Sequence, residues 1–173
     1  MYILLGICCF VSAVLIAVLV VFATWTGFSR LGMAKLDLIR SGNTAAAVVL
    51  GTELLAFAVL MRSCFYPISA VLQDMLIPSG ADIEVYQTIG YIAGYFLLGY
   101  ALSVLTIFIA SRLFQRLTRK MDEKAEVENG NMAVALVYGL VIIAVAVMVQ
   151  SGLGDLLNTL IPPPGNTAVS LAD

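Results

Sequence analysis

Glu53 is the residue best suited to chemistry, because it is a single carboxylate inside the apolar run of residues 44–61. It follows Asn43 by ten positions, so a helix beginning there places it about 15 Å into a membrane core of roughly 30 Å. A charge at that depth costs about 2.5–3.5 kcal/mol on insertion scales, and such residues are functional hypotheses by default. The sequence therefore makes Glu53 the first candidate for a functional side chain.

Two interpretations of Glu53 remain open. In one, a hydroxyl at matching depth on another helix, from Tyr100 or Ser12, shares a hydrogen bond with a carboxyl group that burial keeps protonated. In the other, Glu53 binds a proton or cation, and copies from several subunits form a ring around a pore. Arg62 is no partner within the same helix, because nine positions are about 2.5 turns and place the two side chains on opposite faces.

Other reactive residues are too sparse for catalysis or metal binding. The chain has no histidine, and Cys8, Cys9 and Cys64 form no CxxC pair, so the usual zinc sites are excluded. No Gly-rich phosphate loop and no nucleophile beside a placed base is present. We therefore expect no enzyme activity, no metal and no cofactor, and interpret the cysteines as small apolar helix residues. A disulfide from Cys8 or Cys9 to Cys64 stays open.

The composition is that of an integral membrane protein. Hydrophobic residues make up 61% of the 173 residues and charged residues 12%, against roughly 45–50% and about 25% in soluble domains. The formal net charge of −2 gives no basic footprint for nucleic acid. We expect the lipid bilayer to be the main partner and no nucleic acid to bind.

Four apolar segments predict an all-α membrane protein with a single four-span domain. The predicted spans cover about 2–25, 43–64, 89–111 and 131–152. After the second span, residues 68–77 show the i, i+3, i+4 spacing of a short amphipathic helix at the membrane surface. Residues 153–173 are predicted to form a tail outside the cytoplasm.

The distribution of basic residues predicts the topology. Eight of the nine Lys and Arg residues lie in the loops 26–42 and 112–130. By the positive-inside tendency both loops are cytoplasmic, and both termini lie outside the cytoplasm. The expected location is the bacterial inner membrane.

An internal repeat with a spacing of 88 positions organises the chain. Each copy begins with a Gly-Asn pair, and small residues follow one helical turn apart. The matched positions are Gly42 and Gly130, Asn43 and Asn131, Ala47 and Ala135, and Gly51 and Gly139. Both copies begin helices on the same side, so we expect two two-helix repeats of the same orientation, related by an axis along the membrane normal.

The small residues of the repeat predict close helix packing, because small faces let backbones approach each other in lipid. Gly90 and Gly94 in the third span add a GxxxG spacing. The packing could lie within one chain or between subunits, and we expect a homo-oligomer. The alternative, in which the paired motifs line a pore entrance or form a polar binding site, stays open.

The two copies of the motif also carry a family resemblance. Residues 39–47 have the sequence IRSGNTAAA, and residues 127–135 have VENGNMAVA. With the four-span layout, the chain resembles the small bacterial inner-membrane family of domain of unknown function 350, the YjfL-like proteins, over nearly its whole length. The resemblance implies no catalytic residues. Members are often encoded near phage-shock-like envelope-stress proteins, which implies a membrane partner in envelope stress.

These observations lead to two expected functions. The first is an oligomeric membrane scaffold or partner subunit, linked to envelope stress. The second is an ion- or proton-conducting channel that uses Glu53 near the membrane midplane.

Overall fold

The computed structural model of the chain describes residues 36–76, 85–118 and 122–160, and also residues 14, 17, 18, 20–22 and 24–27. All regular structure in these ranges is α-helical, and no strand occurs there. The helices are α1 (Leu36–Arg40), α2 (Thr44–Leu76), α3 (Val85–Leu117), α4 (Glu123–Glu128) and α5 (Met132–Leu160). The described residues from 14 to 27 are helical as well. The expected all-α class is thereby confirmed.

Three of these helices are long and apolar enough to cross a membrane. The candidate spans are Thr44–Phe65, Tyr86–Leu117 and Met132–Leu160. They coincide with the predicted second, third and fourth spans. The predicted first span, 2–25, lies mostly outside the described residues, so the count of four spans stays a prediction.

Two predicted boundaries are wrong. Residues 65–76 continue α2 and do not form a separate surface helix, and α5 extends to Leu160, into the predicted tail. Pro67 lies inside α2. A proline removes one backbone donor and costs about 3 kcal/mol in a helix interior, so it favours a helix end. Here α2 continues through Pro67. The i, i+3, i+4 spacing of the apolar residues after Pro67 fits a continuous helix as well as a separate one.

The chain divides into two compact units. The first combines Met1–Leu54 with Gln115–Leu140 and so contains α1, α4 and the beginnings of α2 and α5. The second combines Leu55–Phe114 with Val141–Asp173 and contains most of α3 and the later parts of α2 and α5.

The first unit contains two matching turns, which we call the first elbow (residues 38–43) and the second elbow (residues 126–131). In the first, the N–H groups of Gly42 and Asn43 donate to carbonyls in the last turn of α1 at 3.0 and 2.9 Å. In the second, Gly130 and Asn131 make the same bonds to α4 at the same distances. This is the Schellman motif, which needs a left-handed residue, and the glycines have φ of +89° and +83°.

Each elbow asparagine also caps the helix that follows. The Asn43 side-chain oxygen accepts a hydrogen bond from Ala46 N–H at 3.0 Å, and that of Asn131 accepts from Val134 N–H at 3.4 Å. These amides begin a helix and lack partners within it, so the side chain satisfies them. Each Gly-Asn pair thus marks the beginning of a helix.

Close packing of α2 against α5 in the first unit depends on Gly139. A Cβ atom placed there would lie 2.6 Å from both Cγ2 and Oγ1 of Thr52. Thr52 cannot easily turn away, because it is β-branched and its hydroxyl donates to the carbonyls of Val48 and Val49 at 2.9 Å. The glycine therefore lets the two backbones approach.

The second unit has its own close contacts between helices. The Ser63 hydroxyl of α2 donates to the backbone carbonyl of Gln150 on α5. The Cys64 thiol fills the space that the missing side chain of Gly99 leaves on α3, beside Leu157. Cys64 is a free, buried thiol and forms no disulfide in the structure. Cys8 and Cys9 lie outside the described residues.

The Thr52–Gly139 contact predicts opposite effects for two matched substitutions. Gly139→Ala should lower the free energy of unfolding by about 1–3 kcal/mol, because the added methyl overpacks against Thr52. Gly51→Ala, at the equivalent position of the other copy, meets no atom within 4 Å and should leave stability unchanged or raise it by up to about 1 kcal/mol. Thermal unfolding of both variants in the same detergent measures the difference. Equal melting temperatures would contradict the close approach.

Candidate functional site

Glu53 lies in the first unit and is almost entirely enclosed by the chain. Its residue exposure is 3%, and one carboxyl oxygen, Oε1, accepts a hydrogen bond of 2.7 Å from the hydroxyl of Tyr138. Tyr138 on α5 is itself fully buried. The two side chains therefore form a buried carboxyl–phenol pair between α2 and α5.

The elbows set the relative position of the two helices that carry this pair. The side-chain amide of Asn43 donates to the carbonyls of Val127 and Glu128, at 2.8 and 3.0 Å. It thus joins the start of α2 to the end of α4, directly before α5. Further along, Thr52 meets Gly139, so contacts advance in the same direction on both helices. Within the first unit α2 and α5 therefore run parallel from a shared level.

This arrangement brings Glu53 to Tyr138. Glu53 follows Asn43 by ten positions and Tyr138 follows Asn131 by seven, which leaves an axial difference of about 4.5 Å. Two long side chains cover that distance. Thr52 and Gly139, which are the sequence neighbours of Glu53 and Tyr138, hold the backbones close enough for the 2.7 Å bond.

The second carboxyl oxygen of Glu53 has different surroundings. Oε2 is buried and has no hydrogen-bond partner among the described residues. No Lys or Arg of the described ranges forms an ion pair with Glu53. The ion pair found in these ranges joins Arg40 and Asp37. Burying an ionised carboxylate here would cost free energy, because a single phenol donor is its hydrogen-bond partner among the described residues. The neutral acid avoids most of this cost of burying a charge. The geometry thus fits a carboxylic acid that holds a proton.

In the described part of the chain, the surroundings of Glu53 differ from the groupings that bind metal ions. No group of three or more His, Cys, Asp or Glu side chains there is arranged to hold a metal ion. Glu53 therefore stands as an acid–phenol pair without a neighbouring cluster of ligands.

The expected partner of Glu53 was the wrong tyrosine. Tyr100 belongs to the second unit, where its ring meets Phe57 edge-on with 5.1 Å between centroids. Matching residues by depth alone favoured Tyr100, because it ignored which helix the shared elbows bring beside α2. Ser12, the other expected partner, lies outside the described residues.

A signal for Tyr138 is present in the sequence. It is the only polar side chain between Asn131 and Gln150, and it directly precedes Gly139, the counterpart of Gly51. Aligning the two copies at their Gly-Asn pairs would have brought it close to the level of Glu53.

The small residues predicted to pack do so unequally. Ala135 and Gly139 are buried, the latter against Thr52. Their counterparts Ala47 and Gly51 are exposed, and no atom lies within 4 Å of a Cβ built at Gly51. In α3, Gly90 is exposed in the same way and Gly94 is half-buried.

Comparison with known families decides the identity of the chain at family level. Residues 2–153 match the family described as Domain of Unknown Function (DUF350). The chain belongs to this family. No curated protein and no solved structure matches it.

The DUF350 match agrees with the expected family and covers both elbows and the Glu53–Tyr138 pair. The chain is thus a DUF350 protein with three helices that are long and apolar enough to cross a membrane. The family description assigns no activity, so function has to be argued from the residues of this DUF350 chain.

The Glu53–Tyr138 bond predicts a stability effect specific to one tyrosine. Tyr138→Phe removes the one donor to a buried carboxyl group and should lower the free energy of unfolding by about 1–3 kcal/mol. Tyr100→Phe removes a hydroxyl that does not meet Glu53 and serves as the matched control. Thermal unfolding in detergent measures both.

A double-mutant cycle isolates the bond from other roles of Tyr138. In a Glu53→Leu background, Tyr138→Phe should cost much less than in the parent protein. If the two costs were equal, the bond would not contribute to stability.

Proposed function

We propose that the protein is an oligomeric scaffold or partner subunit of the bacterial inner membrane and not an enzyme. The observation that carries this proposal is the unequal use of the two small-residue faces. Gly139 is covered by Thr52 and Ala135 is buried, whereas Ala47 and Gly51 are exposed in the described part of the chain, where no atom comes within 4 Å of a Cβ at Gly51.

An open small-residue face on a membrane helix supports association with another helix. In lipid, dispersion and backbone approach drive helix pairing, and small residues make that approach possible. The buried copy demonstrates that this chain uses such a face for a close contact. We propose that the open copy receives a helix of a second copy of the chain.

We further propose a layout of four spans in two repeats of the same orientation, with both termini outside the cytoplasm. The parallel starts of α2 and α5 and the matching elbows support the common orientation. The helical residues between 14 and 27 support a further span. The basic loops support the cytoplasmic position of α1 and α4.

The proposed partner is a membrane protein of the envelope-stress response. Support comes from the family resemblance. Unchanged envelope integrity and stress response in a deletion strain would remove this part of the proposal.

The open face predicts which substitution breaks the oligomer. Ala47→Leu should shift the protein toward monomer, because the added side chain keeps a second helix from approaching the face. Native mass spectrometry or mass photometry in nanodiscs measures the oligomer distribution. Ala144→Leu is the matched control, since it adds the same atoms at an exposed position of α5 away from the repeat face.

Two outcomes would contradict the oligomer proposal. One is a parent protein that is strictly monomeric at every concentration tested. The other is an equal shift for Ala47→Leu and Ala144→Leu, which would indicate a general effect of bulk at the lipid surface.

A second candidate function, a proton- or ion-conducting channel using Glu53, is favoured by one observation. The buried Oε2 oxygen of Glu53 has no partner among the described residues, so it is available to a proton or a cation. Such a role needs an exchange path, and the carboxyl group is enclosed by its own chain at 3% exposure. We therefore rank it second.

Flux measurements separate the two functions. In proteoliposomes with a pH gradient, a Glu53-dependent channel predicts proton flux that Glu53→Gln abolishes. The scaffold predicts no flux above empty liposomes for either protein. Flux that survives the substitution unchanged would exclude Glu53 as the conducting group.

A further inference from the structure

An exposed pair of side chains near the end of α3 has an unusual geometry. The guanidinium carbon of Arg112 lies 4.9 Å from the centroid of the Phe108 ring, one helical turn earlier. Arg112 is exposed, and Phe108 is 54% exposed. No ion pair of Arg112 is found among the described residues.

The contact with the Phe108 ring leaves donors of the guanidinium available. The π electrons of the ring attract the cation, and no ion pair among the described residues occupies its N–H groups. The N–H bonds lie in the guanidinium plane as a fork that matches the oxygens of a phosphate. Contact with the ring restricts the side chain, so less of its freedom is lost when an anion binds.

The surface around this pair is apolar. Ile109 and Leu113 flank Arg112 on the same helix and are 48% and 54% exposed. A free anion in water gains nothing from such a surface, whereas the acyl chains of a lipid cover it favourably. Charge and apolar surface together therefore match a molecule with a negative head and hydrocarbon tails.

Position along the helix agrees with this chemistry. The candidate span Tyr86–Leu117 ends five residues after Arg112. Arg112 therefore lies in the last turns of the span, from which a long basic side chain reaches the lipid headgroups. Arg116, Arg119 and Lys120 follow in the sequence, so the positive charge continues beyond the span. Basic residues beside a span attract anionic lipid, with about 1 kcal/mol for each residue near the surface.

We propose that Arg112, held by Phe108, binds the phosphate of an anionic phospholipid such as phosphatidylglycerol, in the leaflet next to the 112–130 loop. The site takes a phosphodiester headgroup at the guanidinium and acyl chains along Ile109 and Leu113. It is independent of the oligomer and of Glu53.

Lipid retention tests the site. The protein is reconstituted in nanodiscs of equal parts phosphatidylglycerol and phosphatidylcholine, released in the mass spectrometer, and its bound lipids are counted. The parent should retain phosphatidylglycerol in preference. Arg112→Gln should lower that retention about fivefold, and Phe108→Leu should lower it less, because the charge remains but the fork is no longer held.

The matched control is Lys124→Gln, which makes the same charge change at an exposed position of the same loop. It should lower phosphatidylglycerol retention less than Arg112→Gln does, because Lys124 lies on α4, beyond the end of the candidate span. An equal loss in both variants would overturn the site in favour of a general charge effect. Equal retention of the two lipids by the parent, or displacement of the lipid by millimolar inorganic phosphate, would overturn it as well.

Discussion

The amide of Asn43 provides the interaction on which the first unit depends. It donates to two carbonyls at the end of α4, while the oxygen of the same side chain caps α2. Carbonyls at a helix end have no partner within the helix, and donors from elsewhere in the chain satisfy them. One side chain thus satisfies both helix ends and fixes the level of α2 against α5. The Thr52–Gly139 contact and the Glu53–Tyr138 bond follow from that level.

The two copies share their elbows but differ in their side-chain contacts. The amide of Asn131 donates to the carboxylate of Glu126 at 2.7 Å, whereas that of Asn43 reaches across to the other copy. Glu53 has Val141 as its counterpart, and the buried Gly139 corresponds to the open Gly51. Packing of α2 on α5 uses one copy of each feature, so the described residues contain one polar pair and leave Ala47 and Gly51 exposed.

Much of this fold could be predicted from the sequence, because the relevant signals are local. Apolar length gave the three spans that the structure describes, and the Gly-Asn pairs gave the helix starts. The continuation of α2 through Pro67 could not be predicted, since the cost of one proline can be offset by contacts distant in sequence. The prediction of Tyr100 as the partner of Glu53 was wrong for the same reason. Depth identifies residues at one level, but only the contact of Asn43 with α4 selects the helix that carries Tyr138.

The elbows have a further consequence for chain length. Asn43 belongs to two structures at once, as the last residue of the turn after α1 and the cap of α2, so no residue between the two helices is free. Inserting one residue directly after Asn43 would turn the whole of α2 by about 100° about its axis relative to this asparagine and the end of α4 that it binds. Glu53 would then leave Tyr138 and face another direction. Loop insertions are usually tolerated, but this turn has no flexible residue that could absorb one. The number of residues in the turn therefore sets the angular position of the side chains of α2.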